Sequence, residues 1–143
     1  MTFNIFKKSN KNSEAISSRL ANILNQKPNN LHVTICIQNQ ILFQIMPAKN
    51  FIQHGFKTDK PNDLVAIHFF NKNKTLTFDS LNNIKDTGIA NNYYFYEKPK
   101  GNYNYIKSIG LNPIEIETEI LKNIKEIYEL ENLNNISIEY ADY

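Results

Sequence analysis

The chain reads as an α+β domain: an antiparallel sheet of about six to seven strands in hairpins, covered by an N-terminal and a C-terminal amphipathic helix. Three observations predict this. Short apolar runs with alternating periodicity recur between Leu31 and Ile109, separated by turn residues. Two other segments, one near each end, carry their apolar residues at helical spacing instead. The length of 143 residues suits one domain, and 41% hydrophobic with 21% charged residues suits a packed core. We expect a single domain over residues 1–143, with residues 1–12 polar and flexible.

Taken in order, Ser13 can cap a helix from Glu14 to Gln26, with Ile16, Leu20, Ile23 and Leu24 forming one apolar stripe. Lys27-Pro28-Asn29-Asn30 ends it. Leu31, Val33, Ile35 and Ile37 then alternate with His32, Thr34 and Cys36, as in a half-buried strand. A short turn at Gln38-Asn39-Gln40 leads into the partner strand from Ile41 to Met46, stopped by Pro47. Residues 48–63 form a loop with a short helix near Phe51. Residues 64–70 and 75–80 read as a second hairpin, with Ile67 facing Phe78 and His68 diagonal to Asp79. Residues 81–91 read as a polar connection.

Residues 92–98 and 103–109 make a third hairpin, rich in tyrosine, around Pro99-Lys100-Gly101-Asn102. Asn112-Pro113-Ile114-Glu115 is a strong helix start: a capping Asn, Pro at the first helical position, and Glu placed to reach back. That helix runs to about Glu131, and Ile136, Ile138 and Tyr140 share one face of a final strand.

Catalytic and metal chemistry find little support. A single cysteine excludes an intramolecular disulfide and fits a reducing cytoplasm. No Cys-x-x-Cys or His-x-x-x-His spacing marks a zinc site, so neither metal nor cofactor is expected. His32 and Cys36 are four apart on one strand face, too far along it for a two-ligand pair, and Cys36 reads as a small buried hydrophobe. His68 with Asp79 could serve as a general base, although a hydrogen-bonded surface pair explains the same residues. His54-Gly55 lies in a loop, and Gly88 and Gly101 belong to no phosphate-binding pattern. No nucleophile motif occurs, and the chain is not expected to be an enzyme. No apolar run reaches the roughly 18 residues that span a bilayer, and the N-terminus does not read as a secretory signal.

Charge is what stands out. Residues 1–112 carry a balance of +8 and residues 113–143 a balance of −6, hidden inside the net +2. The negative part is organised: Glu115, Glu119, Lys122, Glu126 and Glu129 fall on one stripe of the C-terminal helix, opposite Ile114, Ile116, Ile120, Leu121, Ile124, Ile127 and Tyr128. A solvated helix face would look the same, as would a site for a basic partner. The positive part is dispersed through loops. A second cluster, Tyr93, Tyr94, Phe95, Tyr96, Tyr103 and Tyr105, is flanked by Lys98, Lys100 and Lys107. It suits binding hot spots, base stacking or plain cross-strand packing. One Arg against 15 Lys argues against nucleic-acid recognition, for which the bidentate guanidinium is favoured. With 23 Asn and 20 Ile, that bias fits AT-rich bacterial or phage coding.

In overall type the chain resembles the immunity proteins of bacterial polymorphic-toxin systems, including contact-dependent growth inhibition. The resemblance carries over no individual residue. It implies a small cytoplasmic protein that binds and neutralises a cognate toxin, in many cases a nuclease whose basic cleft meets acidic residues. The partner-binding candidates from the residues themselves are Glu115, Glu119, Glu126, Glu129, Tyr94, Tyr96, Tyr103 and Tyr105. Alternatives are a secretion chaperone, a phage-encoded inhibitor, or a nucleic-acid-binding module using the Tyr/Lys hairpin.

Overall fold

The computed structural model describes residues 4–9, 15–71, 80–86 and 92–143. Its strands are β1 (Asn4–Ser9), β2 (Leu31–Ile37), β3 (Gln40–Pro47), β4 (Leu64–Asn71), β5 (Tyr94–Lys98), β6 (Asn102–Gly110) and β7 (Ile136–Asp142). Its helices are α1 (Ile16–Asn25), α2 (Leu81–Asp86) and α3 (Pro113–Glu126), with 3-10 turns at Ala48–His54 and Leu133–Asn135. The strands form one sheet in the order β1-β7-β2-β3-β4-β6-β5, and every pairing is antiparallel. The α+β class follows.

Cross-strand register explains the layering. One row runs Ile138, Ile35, Phe43, His68, Tyr105, Phe95 across six strands. Side chains of this row point to the face where α1 and α3 lie. Leu20 and Ile23 of α1, with Ile116, Ile120 and Ile124 of α3, join Val33, Ile35, Phe43, Ile45 and Tyr140 in the main core cluster. The adjacent row, Glu139, Thr34, Gln44, Ile67, Ile106, Tyr94, points to the opposite face and changes character part-way. Its apolar half packs a second core of Met46, Val65, Ile67 and Ile106 under Ala48, Phe51 and Phe56 of the loop that precedes β4.

Local chemistry sets the ends of these elements. Gln38 and Asn39, with φ of 49° and 65°, make the two-residue turn between β2 and β3 whose twist suits a hairpin. Asn112 caps α3 through its side-chain oxygen, which accepts from Ile114 N and Glu115 N, with Pro113 in the first turn. The helix stops at Glu126 rather than Glu131, because Glu129 turns left-handed at φ 55° and Leu130 N bonds back to Ile124 O at 3.1 Å.

Four further readings need correction. Residues 4–9 form the edge strand β1, paired from Asn4↔Asp142 to Ser9↔Ser137. This pairing is made through the backbone edge of β7, so a polar composition does not preclude it. The first helix begins at Ile16 and has Ala15, not Ser13, as its N-cap, with no side-chain cap of its own; Ser13 and Glu14 lie outside the described residues. At Ile67 both edges of β4 are occupied, by Gln44 of β3 and Ile106 of β6, so β4 has no place there for a strand containing Phe78. Phe78, Asp79 and most of the expected 75–80 strand lie outside the described residues. Within the expected polar connection, Leu81 and Ile84 of α2 are buried in the main core.

Candidate interaction surface

Helix α3 is tied to its neighbours by its own carboxylates. Glu117 Oε2 accepts from Ser17 N at 2.9 Å, so an acid on α3 satisfies a first-turn amide of α1. It supplies from a distance the capping that Ala15 cannot, and it suits the positive end of the α1 dipole. On the other flank, Glu119 Oε1 accepts from Lys107 Nζ of β6 at 2.8 Å. The two side chains retain only 16% and 26% of their exposure, so this ion pair is largely shielded. Glu119 is therefore committed within the molecule. Glu115, Lys122, Glu126 and Glu129 of the same stripe are exposed.

Beneath that flank lies a chain of buried hydrogen bonds. Tyr128 Oη donates to the Leu42 carbonyl at 2.8 Å. Its remaining lone pair accepts from His68 Nδ1 at 2.7 Å. His68 Nε2 then accepts from the Tyr93 hydroxyl at 3.5 Å. These directions assign His68 as the neutral Nδ1–H tautomer. Burial, helped by the Lys107 charge, pushes the His68 pKa down to about 3. Burial, then the nearby Glu119 and Glu126 carboxylates, raise the Tyr93 pKa. Burial, then Tyr93, likewise raise that of Tyr128. His68 is 0% exposed, with Phe43 and Phe70 against its ring, and this suits an interior anchor. The sequence places Tyr128 on the apolar arc; a tyrosine there and a histidine mid-strand are the only local signs of the pairing.

The tyrosine hairpin divides between the two faces as alternation requires. Tyr94 and Tyr96 point away from the helices and hold the loop before β4. Tyr94 Oη donates to the His54 carbonyl at 2.7 Å, and the Tyr96 ring stacks on the His54 imidazole at 4.9 Å between centroids. Phe56 packs edge-on to Tyr94. Both tyrosines are half-buried, engaged as loop anchors. On the helix face, Tyr105 is a core residue, which removes it from the contact candidates. Tyr103 is half-buried beneath Lys85, while Phe95, packed against Tyr105 at 4.9 Å, remains 44% exposed at the sheet edge. Alternation puts Phe95 on the same face as Tyr93; that Phe95 is the least covered aromatic of the hairpin follows from β5 being an edge strand with one neighbour.

The two candidate clusters thus adjoin. The Lys107–Glu119 bridge joins β6 to α3, and the charges of Glu119 and Glu126 reach Tyr93 at the start of the hairpin. Comparison of the chain with family models, curated proteins and solved structures finds no match.

The remaining candidates stay apart from this surface. His32 packs against Tyr143 at 4.7 Å, and Cys36 is buried. Among the described residues, no group of three or more His, Cys, Asp and Glu could hold a metal ion, and no helix is long and apolar enough to cross a membrane.

Proposed function

We propose that this protein is a small cytoplasmic protein-binding domain of the immunity type, which occupies and neutralises a basic toxin domain. The observation that carries this reading is the Lys107–Glu119 bridge. It ties the acidic stripe of α3 to β6, the strand that carries half-buried Tyr103 and pairs with β5, where Phe95 is exposed; Glu115, Glu126 and Glu129 are exposed on that stripe. An aromatic anchor beside a charged rim is a common interface arrangement. The carboxylates would steer a basic cleft into place and Phe95 would be desolvated on contact. Glu119 acts as a support, positioning α3 against β6. Tyr94 and Tyr96 contribute by holding the loop behind the hairpin.

The test requires a toxin reading frame directly upstream of this gene, whose C-terminal domain would be the binding partner assayed. Glu126→Lys with Glu129→Lys, and separately Phe95→Ser, should each weaken its binding by tenfold or more, roughly 1.4 kcal/mol, with the far-ultraviolet circular dichroism spectrum unchanged. A folded double variant that binds as tightly as the parent rules out this face.

A further inference from the structure

The far end of the sheet carries a cleft of about 420 Å³ that has no part in the surface above. It opens where α1 ends, β2 and β4 begin, and β6 runs into α3. Leu24, Leu31, Leu64 and Leu111 line it. Leu31 and Leu64 are each 2% exposed, whereas Leu111 is 46% exposed, so apolar surface continues from the core to the mouth. Lys27 and Lys49 also line it, and among the described residues none that does so is acidic. Asn29 and Asn62 add amide groups.

The rim is braced. Lys49 Nζ donates to the Asn29 carbonyl at 2.6 Å, which leaves the rest of its ammonium protons for another acceptor. Asn30 N donates to Asp142 Oδ1 at 2.9 Å, and Tyr143 N donates to the Asn30 carbonyl at 3.1 Å. Lys27 is held left-handed at φ 51°, with its amide bonded to Leu24 O at 3.0 Å. A left-handed lysine is sparsely populated and persists where its surroundings determine it. The cleft size falls in the range of small-molecule sites, and an apolar interior with a few convergent polar groups is their usual chemistry.

We propose that this cleft binds a small amphipathic carboxylate, with its apolar body among Leu24, Leu31, Leu64 and Leu111 and its carboxylate between Lys27 and Lys49. Charge complementarity selects the anion: two cations with no acid between them favour a carboxylate over a neutral group of the same shape. The site is independent of the toxin-binding reading and can fail or stand without it.

Methyl-labelled protein titrated with 4-phenylbutyrate and with 4-phenylbutanol tests the assignment by nuclear magnetic resonance. The carboxylate should give saturable shifts confined to the methyls of Leu24, Leu31, Leu64 and Leu111. It should bind about tenfold or more tightly than the alcohol, as expected for one charge-assisted contact. Lys27→Gln with Lys49→Gln, both at exposed positions, should reduce that preference to less than about threefold while leaving the spectrum of the core intact. Equal binding of acid and alcohol, shifts spread over the surface, or no saturation at millimolar ligand would each overturn the proposal. Tighter binding of a short peptide ending in a Phe carboxylate would overturn the small-molecule assignment in favour of a chain terminus.

Discussion

Acidification should destabilise this protein through one buried ring. His68 titrates near its ordinary value of 6.5 in the unfolded chain, but is pushed down to about 3 when folded. Below the unfolded value the unfolded state takes up a proton that the folded state refuses. The stability contributed by neutral His68 is therefore complete above that value and is lost as the pH falls towards the folded one. The loss approaches about 1.4 kcal/mol for each pH unit. From about pH 7.5 to about pH 4.5 it comes to roughly 2.5–3 kcal/mol, a large share of the 5–15 kcal/mol that holds typical domains together.

Urea unfolding at several pH values measures this directly, comparing the parent with His68→Phe. The phenyl ring fills the site and leaves the Tyr128 bond to the Leu42 carbonyl in place. The variant should be less stable at neutral pH, having lost the acceptor for Tyr93, yet should decline more gently on acidification. His32, also lowered by burial, and the carboxylates remain in both proteins, so the difference between the two slopes belongs to His68. Parallel slopes over that window would refute the buried, neutral assignment.

Three more outcomes follow from the same contacts. Tyr128→Phe strands both the Leu42 carbonyl and His68 Nδ1–H in the core, and should cost roughly 2–4 kcal/mol in urea-unfolding free energy. Glu119→Gln should cost roughly 2 kcal/mol, between an exposed and a fully buried ion pair, whereas Glu126→Gln at its exposed position should stay within about 0.5 kcal/mol in the same measurement. Gly55 sits at φ +93° with the site of an added Cβ only 2.5 Å from Tyr94 Oη. Gly55→Ala should therefore loosen the loop before β4, at a cost of roughly 1–3 kcal/mol, and hydrogen exchange over residues 48–56 should accelerate.

What could be read from the chain was local. The Asn112-Pro113 start of α3, the turn at Gln38-Asn39, the alternation of β2 and β7 and the two faces of the tyrosine hairpin all depend on neighbours within a few residues. What could not be read was set by contacts distant in sequence. β1 is paired by residues near the other end of the chain, and β4 by β3 and β6 on both sides. The same limit applied to the candidate surface. Helical spacing put Glu119 among the outward acids, but Lys107 claims it, and Glu117 caps a helix 100 residues away in sequence. Aromatic density marked the hairpin without telling that Tyr94, Tyr96 and Tyr105 are engaged in holding the fold while Phe95 is not fully covered.

Pairing Asn4 with Asp142 sets both ends of the described chain on one edge of the sheet, while β5 forms the other edge. Six inter-strand spacings separate those edges, about 29 Å at roughly 4.8 Å each. A fluorophore or surface tether attached at position 142, beside β1, would stand across the sheet from Phe95. Protein immobilised through that position would then present the aromatic edge outward.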